Sequence, residues 1–319
     1  MARDDWTAAE MPRLDGQTVV VTGANSGLGY HASRAFAHRG AHVVMACRDM
    51  KRGEEARGEL AANRPSGALE LQKLDLADLD SVRTFAETFS DIHDRLDILC
   101  NNAGVMAIPR SETQDGFETQ FGVNHLGHFA LTGLLLGEMT GDDVRVVTQS
   151  SGVHEAGEMD FDDLQGEESY DEWGAYAQSK LANLLFAYEL QRRLDDEGIE
   201  NVRSIGCHPG YAATNLQYRG PEARGSKVRK AAMAVANTTL AQSAEWGTLP
   251  MLYAATEDVP GGSYVGPGGL MNMRGHPEVQ ESSEESYDEV AAGRLWGVSE
   301  DLTGVEYDFE SLAAARDAE

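Results

Sequence analysis

Two side chains in the middle of the sequence have the spacing that proton transfer to a substrate oxygen requires. Tyr176 and Lys180 stand four residues apart, so a helix places both on one face. A free phenol has a pKa of about 10, and a neighbouring ammonium group makes its proton exchange feasible near neutral pH. Lysine occurs only at positions 51, 73, 180, 227 and 230, which favours a functional role over a chance surface pair. The pair is the candidate acid and base of the chain.

A glycine-rich segment earlier in the chain could hold phosphate groups. It runs Thr22-Gly23-Ala24-Asn25-Ser26-Gly27-Leu28-Gly29 and joins a predicted strand to a predicted helix. Glycines let the backbone turn tightly and approach a pyrophosphate, while the helix offers N–H groups and partial positive charge. A plain glycine turn is the alternative, and the position between strand and helix disfavours it. The segment therefore predicts a dinucleotide site.

Short β-branched runs alternate with longer helical stretches from Gln17 onward, which is the pattern of a parallel sheet covered by helices on both faces. We expect one α/β domain of the doubly wound Rossmann type, with a seven-stranded, mostly parallel sheet. Residues 1–15 should form a lead-in, 16–265 the catalytic domain, and 266–319 an extension packed on it. The predicted strands are 18–22, 42–47, 69–73, 98–101, 145–149, 202–207 and 263–265, and the predicted helices are 28–39, 51–63, 81–92, 117–137, 175–197 and 239–255.

The glycine spacing G-x-x-x-G-x-G and the segment Asn101-Asn102-Ala103-Gly104 together resemble the short-chain dehydrogenase/reductase family. The resemblance implies that a nicotinamide dinucleotide binds along the glycine loop, and that the Asn-Asn-Ala-Gly segment supports the sheet beside the adenine ribose. Asp75 matches the position that meets the adenine ring, although a turn aspartate at a strand end is an alternative. The cofactor contacts expected in this half are Gly23, Asn25, Ser26, Gly27, Leu28, Gly29, Asp75, Leu76, Asn102, Ala103 and Gly104.

The same resemblance implies catalytic roles. Ser151, in Ser150-Ser151-Gly152 after the fifth predicted strand, would polarise the substrate oxygen. Asn124 matches the asparagine that organises a water-mediated proton path to the lysine. Tyr176 would exchange the proton, and Lys180 would also bind the nicotinamide ribose. Three further cofactor contacts, which shape the nicotinamide pocket or bond the carboxamide or a phosphate, are Pro209, Gly210 and Thr214.

The cofactor preference depends on the end of the second predicted strand. A site that prefers NAD places a carboxylate there, which bonds the ribose 2'-hydroxyl and repels a 2'-phosphate. Here the strand ends at Cys47, and Arg48 follows at the position where NADP-dependent relatives carry an arginine. We therefore expect NADP(H). Asp49, and a purely surface role for Arg48, keep NAD(H) as the alternative.

The long segment between Ser151 and Tyr176 and the late run 295–304 resemble the retinol dehydrogenase and WW-domain-oxidoreductase branch. That branch implies hydride transfer between nicotinamide and a lipophilic aldehyde, ketone or alcohol. We expect neither a WW module nor a membrane anchor in this sequence. The pocket walls expected from loops are Met106, Tyr211 and Leu216. Two alternatives are an NAD-linked alcohol or sugar dehydrogenase and a non-catalytic dinucleotide-binding sensor.

The chain is strongly acidic, with 53 acidic against 26 basic residues and a net charge of -27. Such a field makes nucleic acid and anionic membranes poor partners, and we interpret it as adaptation to high salt. Cys47, Cys100 and Cys207 show no C-x-x-C spacing, so neither a disulfide framework nor a metal site is expected. A reducing, cytoplasmic location follows as an expectation, and a homodimer or homotetramer is left open.

Overall fold

The computed structural model describes residues 5–210, 243–269, 272–310 and 312–313. Its strands are β1 (Thr18–Thr22), β2 (His42–Cys47), β3 (Ala68–Lys73), β4 (Ile98–Asn101), β5 (Val144–Gln149), β6 (Val202–Cys207), β7 (Tyr264–Pro267) and β8 (Pro277–Gln280). Its helices, numbered here over the described residues, are α1 (Gly27–His38), α2 (Met50–Ala62), α3 (Leu79–Ile92), α4 (Thr119–Phe121), α5 (Gly127–Leu134), α6 (Glu172–Asp196), α7 (Ala244–Gly247), α8 (Leu249–Thr256) and α9 (Glu289–Thr303).

The strands form one sheet in the order β3-β2-β1-β4-β5-β6-β7-β8. The first seven pair in parallel, and β8 returns antiparallel along β7. Strand order reverses between β1 and β4, so a crevice opens there at the carboxyl ends of the strands. This switch point is where a doubly wound sheet binds its ligand.

The sheet has eight strands, so the expectation of seven was wrong by one. The added strand, β8, covers only four residues, begins with a proline and exposes Val279 at 51%. It therefore offers a single β-branched residue, Val279, in a stretch too short for a prediction. The boundary expected between residues 265 and 266 lies inside β7.

Helices cover both faces of the sheet, as the alternating pattern predicts. On one face α3, α5 and α6 enclose an apolar core that includes Phe85, Phe129 and Phe186, and α9 adds Trp296 to it. On the other face α1 and α8 pack around Phe36 and Leu252. The C-terminal segment thus contributes both a strand and a helix to the same body. Among the described helices, none is both long and apolar enough to cross a membrane.

The helix predicted over 117–137 is interrupted. It consists of α4, a single π-helical turn over Gly122–Leu126, α5, and a 3-10 turn over Leu136–Glu138. The wider π turn contains Asn124 and ends where Gly127 meets the Leu76 carbonyl, since an added Cβ at Gly127 would lie 2.6 Å from that oxygen. Periodicity does not reveal such a turn, which often marks a functional position.

The helix predicted over 239–255 is also divided. Its described part contains α7 and α8, and Pro250 stands in the first turn of α8. A proline fits the first turn because the N–H group it lacks would be unpaired there.

Candidate active site

A cavity of about 280 Å³ lies at the switch point between β1 and β4. Four strands deliver residues to it, because each strand ends at this edge and the following loop turns back over the sheet. The lining includes ten of the eleven residues predicted to contact the cofactor in the N-terminal half, namely Gly23, Asn25, Ser26, Gly27, Leu28, Asp75, Leu76, Asn102, Ala103 and Gly104. The structure therefore brings these ten predicted cofactor residues together around one cavity.

The glycine loop has the geometry that a diphosphate needs. Gly23 and Gly27 have φ values of 67° and 56°, a region that glycine enters without strain. The Ser26 side chain makes no capping hydrogen bond to α1, and the first turn of α1 carries no acidic residue. The helix N-terminus can therefore receive an anion.

Gly29, the eleventh residue, does not line the cavity. A Cβ there would lie 2.6 Å from the Gly23 carbonyl oxygen and 2.7 Å from Asn102 Nδ2. The absence of a side chain at Gly29 lets α1 pack closely against the loop and the residue that follows β4.

Two arginines, Arg48 and Arg52, line the cavity after β2. Asp49 stands between them, and its Oδ1 accepts the Arg52 backbone N–H at 3.1 Å, so the carboxylate caps α2. That bond anchors the carboxylate at the helix end. The pKa of Cys47, the last residue of β2, is raised to about 11 by burial, so its thiol stays neutral.

The catalytic candidates meet at the end of β5. Tyr176 and Lys180 lie on α6 and are both buried, with the lysine Nζ 5.8 Å from the phenol ring centroid. Ser151 follows β5, and its side chain lies within hydrogen-bonding reach of Tyr176. Lys180 Nζ donates to the Gln149 carbonyl at 3.0 Å, which ties the ammonium group to the strand end. The phenol, the hydroxyl and the ammonium group therefore lie in one region of the structure, at the end of β5.

Burial dominates the titration of this pair. It raises the pKa of Tyr176 to about 12, against a smaller lowering by the Ser151 hydrogen bond. It lowers the pKa of Lys180 to about 8, against a smaller raising by Cys207. Desolvation penalises the phenolate form, so burial moves the pKa of Tyr176 in the direction opposite to the field of a neighbouring ammonium group. The phenol stays protonated at neutral pH.

Asn124 is held beside the lysine. Its Oδ1 accepts the Val105 N–H at 2.8 Å, and its Nδ2 donates to the Val105 carbonyl at 3.0 Å and to Ser179 Oγ at 2.9 Å. An added Cβ at Gly104 would lie 2.9 Å from Asn124 Oδ1 and 3.7 Å from Lys180 Nζ. Gly104 thus lets the asparagine and the ammonium group approach the same strand end.

Thr22 and His128 complete the support, although neither residue carries a motif that predicts a role. Thr22 Oγ1 accepts the backbone N–H groups of Asn102 and Ala103, each at 2.9 Å, and lies 2.9 Å from His128 Nε2. His128 Nδ1 lies 3.0 Å from the Asn124 carbonyl oxygen. Burial lowers the pKa of His128 to about 4, so the ring is neutral. Because the Asn124 carbonyl only accepts, Nδ1 carries the proton.

Two histidines connect the site to the C-terminal segment. His154 Nδ1 donates to the Ser151 carbonyl at 2.7 Å, and its Nε2 accepts the Ser283 N–H at 3.1 Å. His208 Nδ1 accepts the Gly210 N–H at 3.3 Å, and its Nε2 donates to Gln280 Oε1 at 3.2 Å.

These bonds fix one tautomer for each ring. His208 is thus a structural residue, as the sequence suggested. Pro209 and Gly210 follow β6, and Gly210 has a φ of 61°. Thr214, Tyr211 and Leu216 lie outside the described residues.

Known proteins resemble the chain over most of its length. The family model for short chain dehydrogenase matches residues 17–224. Retinol dehydrogenase 13 from Homo sapiens is 40% identical over 299 residues, covering 92% of this chain and 86% of the relative. Retinol dehydrogenase 12 from Mus musculus is 48% identical over 205 residues, covering 64% of each.

Solved structures show the same fold. A protein from Mycobacterium paratuberculosis is 44% identical with a TM-score of 0.78, covering 95% of this chain and 99% of its own. An NAD(P)-dependent gluconate 5-dehydrogenase from Beutenbergia cavernae, described with bound NADP, is 27% identical with a TM-score of 0.56, covering 77% of this chain and 91% of its own. The chain therefore belongs to the short-chain dehydrogenase/reductase family, in its retinol dehydrogenase-like branch, and is an oxidoreductase acting on alcohol or carbonyl substrates.

Proposed function

We propose that the protein is an NADP(H)-dependent enzyme that interconverts a lipophilic alcohol with its aldehyde or ketone. The observation that best supports NADP(H) is that Arg48 and Arg52 line the cavity where β2 ends. A guanidinium group suits a phosphate dianion because it is always charged and offers several donors in one plane. Asp49, the nearby carboxylate, already accepts a bond from the backbone of α2.

When bound, the nicotinamide supplies or accepts the hydride, and the chain's own residues handle the proton. In reduction Tyr176 donates its phenolic proton to the carbonyl oxygen, and the Ser151 hydroxyl holds that oxygen. Lys180 keeps positive charge beside the phenolate that remains and is anchored on the Gln149 carbonyl. In oxidation the same groups act in reverse, so Tyr176 acts from its phenolate form and accepts the proton of the alcohol.

The substrate class is supported by an exposed aromatic ring beside the catalytic phenol. Trp173 is 43% exposed, and its ring centroid lies 6.2 Å from that of Tyr176 in an edge-on arrangement. An exposed indole beside a reacting group offers apolar surface to a hydrocarbon chain. The relatives named retinol dehydrogenases support the same class.

Replacing Arg48 by alanine tests the cofactor preference. Loss of a charge-assisted contact costs about 1.5–3 kcal/mol, so Arg48→Ala should lower kcat/KM for NADPH by roughly ten- to a hundredfold and leave that for NADH nearly unchanged. Initial rates with each cofactor at one saturating aldehyde give the measurement.

Arg57→Ala is the matched control. Arg57 lies on α2, the helix that follows Arg48, but it pairs with Glu54, with Arg57 Nη2 2.6 Å from Glu54 Oε1, and it does not line the cavity. Equal losses with NADPH and NADH in Arg48→Ala, or a wild-type preference for NADH, would contradict the proposal.

Replacing Trp173 by alanine tests the substrate class. Trp173→Ala should raise the KM for a long-chain aldehyde or all-trans-retinal several-fold, because about 100 Å² or more of apolar contact is lost. It should leave the KM for propanal unchanged. A wild-type enzyme that reduces propanal as efficiently as the long-chain aldehydes would overturn the lipophilic assignment while leaving the cofactor proposal standing.

A further inference from the structure

Two imidazoles and one carboxylate converge beside β2 and β3, away from the carboxyl ends of the strands where the candidate active site lies. His42 Nε2 and His93 Nε2 lie 2.9 Å and 3.1 Å from the same atom, Glu70 Oε2. One ligand atom from each of the three side chains falls within 4.8 Å of the others. The residues are far apart in sequence, 28 and 23 positions from Glu70, so no motif announces the cluster.

The fold itself brings the three groups together. Val44 pairs with Glu70 across β2 and β3, so His42, two residues before Val44, points to the same face of the sheet as Glu70. The side chains of α3 cover that face, and His93 directly follows α3. Its ring centroid lies 4.7 Å from that of Phe89, which fixes where the imidazole points.

The donor set suits a transition-metal ion. Imidazole nitrogen and carboxylate oxygen bind Zn²⁺ at about 2.0–2.2 Å, and two ligands of a tetrahedral site then stand about 3.3 Å apart. The two separations from Glu70 Oε2 are already within a few tenths of an ångström of that value. Side-chain exposures of 39% for His42, 25% for Glu70 and 9% for His93 leave an entry path and room for water to complete the coordination.

The Glu70 carboxylate also accepts a hydrogen bond on its other oxygen, as metal-binding carboxylates commonly do. Gln72 Nε2 donates to Glu70 Oε1 at 2.9 Å, which leaves Oε2 to the two imidazoles. Gln72 Oε1 is buried and has no hydrogen-bond partner in the structure. A role in orienting Glu70 explains why an amide is present at this buried position.

We propose that His42, Glu70 and His93 form a binding site for Zn²⁺ or a similar divalent transition metal. The ion replaces the hydrogen bonds to Glu70 and joins β2, the edge strand β3 and the end of α3 through coordinate bonds. His42 is the first residue of β2, about 20 Å along the chain from Arg48 at the cofactor cavity. It therefore stabilises the fold and takes no part in hydride transfer.

Calorimetric titration of the tag-free, EDTA-treated full chain with Zn²⁺ tests the site. We expect one ion per chain, a rise in the thermal midpoint with Zn²⁺, and no such rise with Mg²⁺ at the same concentration, since Mg²⁺ prefers oxygen ligands. Co²⁺ should give the visible bands of a tetrahedral nitrogen-containing site. Gln72→Leu should weaken Zn²⁺ binding about ten- to a hundredfold through the loss of Glu70 orientation.

Two histidine variants distinguish Zn²⁺ binding at this site from Zn²⁺ binding by other histidines of the chain. His42→Gln should abolish the one-to-one binding while its thermal midpoint in EDTA stays close to that of the wild type, because His42 is part-exposed. His38→Gln, at an exposed histidine on α1, should bind Zn²⁺ like the wild type. Zn²⁺ binding that is absent in the wild type, or that survives unchanged in both His42→Gln and His93→Gln, would overturn the proposal.

Discussion

At the scale of single residues, burial dominates the pKa shifts of Tyr176 and Lys180. Water exclusion raises the pKa of Tyr176 and lowers that of Lys180, since in both groups it is the charged form that loses solvation. The protein without ligand thus presents a protonated phenol next to an ammonium group that is close to losing its proton. This state is suited to donating a proton to a carbonyl oxygen at neutral pH.

The rate of aldehyde reduction should therefore fall as pH rises through about 8, the pKa of Lys180. The pKa is lowered, so above that pH the folded protein holds a neutral amine where the phenolate needs a cation. Tyr176, with a pKa of about 12, stays protonated across the whole range. A profile of kcat/KM against pH with NADPH checks this, and a flat profile from pH 7 to pH 9.5 would contradict it.

Residue types and spacing predicted that Tyr176 and Lys180 share a helix and that the glycine loop joins a strand to a helix, and the structure has both features. They could not predict the sign of the Tyr176 shift, because the burial behind it comes from elements far along the chain. Arg52 was missed for a similar reason, since a second arginine one turn into α2 carries no motif and reaches the cavity only through the geometry of the helix.

At the scale of elements, the C-terminal segment supports Ser151, the serine that we propose holds the substrate oxygen. His154 is the link, bonded to the Ser151 carbonyl and to the Ser283 N–H, and its ring stands 5.4 Å from that of Tyr264. A loop that carries a catalytic residue needs such support, because small displacements of a reacting group lower the rate. His154 is therefore a positioning residue.

His154→Phe should keep the ring contact with Tyr264 but remove both hydrogen bonds. We expect kcat to fall roughly tenfold with little change in the KM for NADPH, because the cofactor cavity is not touched. Steady-state kinetics measure kcat and the KM for NADPH separately. His276→Phe is the control, since His276 bonds the Trp6 carbonyl and contacts Trp246 away from the serine. Equal falls in kcat in both variants would show only a general loss of stability.

Elements with strong local patterns were predicted from the sequence, and those shaped by tertiary contacts were not. β1, β2, β4 and β6 have the predicted bounds because each is a short apolar run between turn signals. The π turn around Asn124 depends instead on the packing of Gly127 against Leu76, and β8 depends on its pairing with β7.

At the scale of the whole molecule, the dominant feature is the net charge of -27. The ion pairs include exposed ones such as Arg13 with Asp15 and Arg57 with Glu54, which add little stability in water. The unbalanced acidic charge therefore repels itself across the surface at low ionic strength.

Stability should rise with salt concentration. The Debye length falls from about 10 Å at 0.1 M to about 3 Å at 1 M, so self-repulsion is screened and the thermal midpoint should increase between these conditions. Thermal unfolding in KCl measures this, and sucrose at equal osmolality controls for general solute exclusion. A midpoint that is highest at low salt would contradict the interpretation of the acidic surface as adaptation to high salt.

The most direct test of the account is the turnover of Tyr176→Phe. The phenylalanine ring should leave NADPH binding, measured by fluorescence titration, close to that of the wild type. Loss of the proton donor should lower the rate of NADPH-dependent aldehyde reduction by about 10²–10⁴-fold. A variant that binds NADPH normally and still turns over at the wild-type rate would contradict the assignment of Tyr176 as the acid, and with it the proposed mechanism.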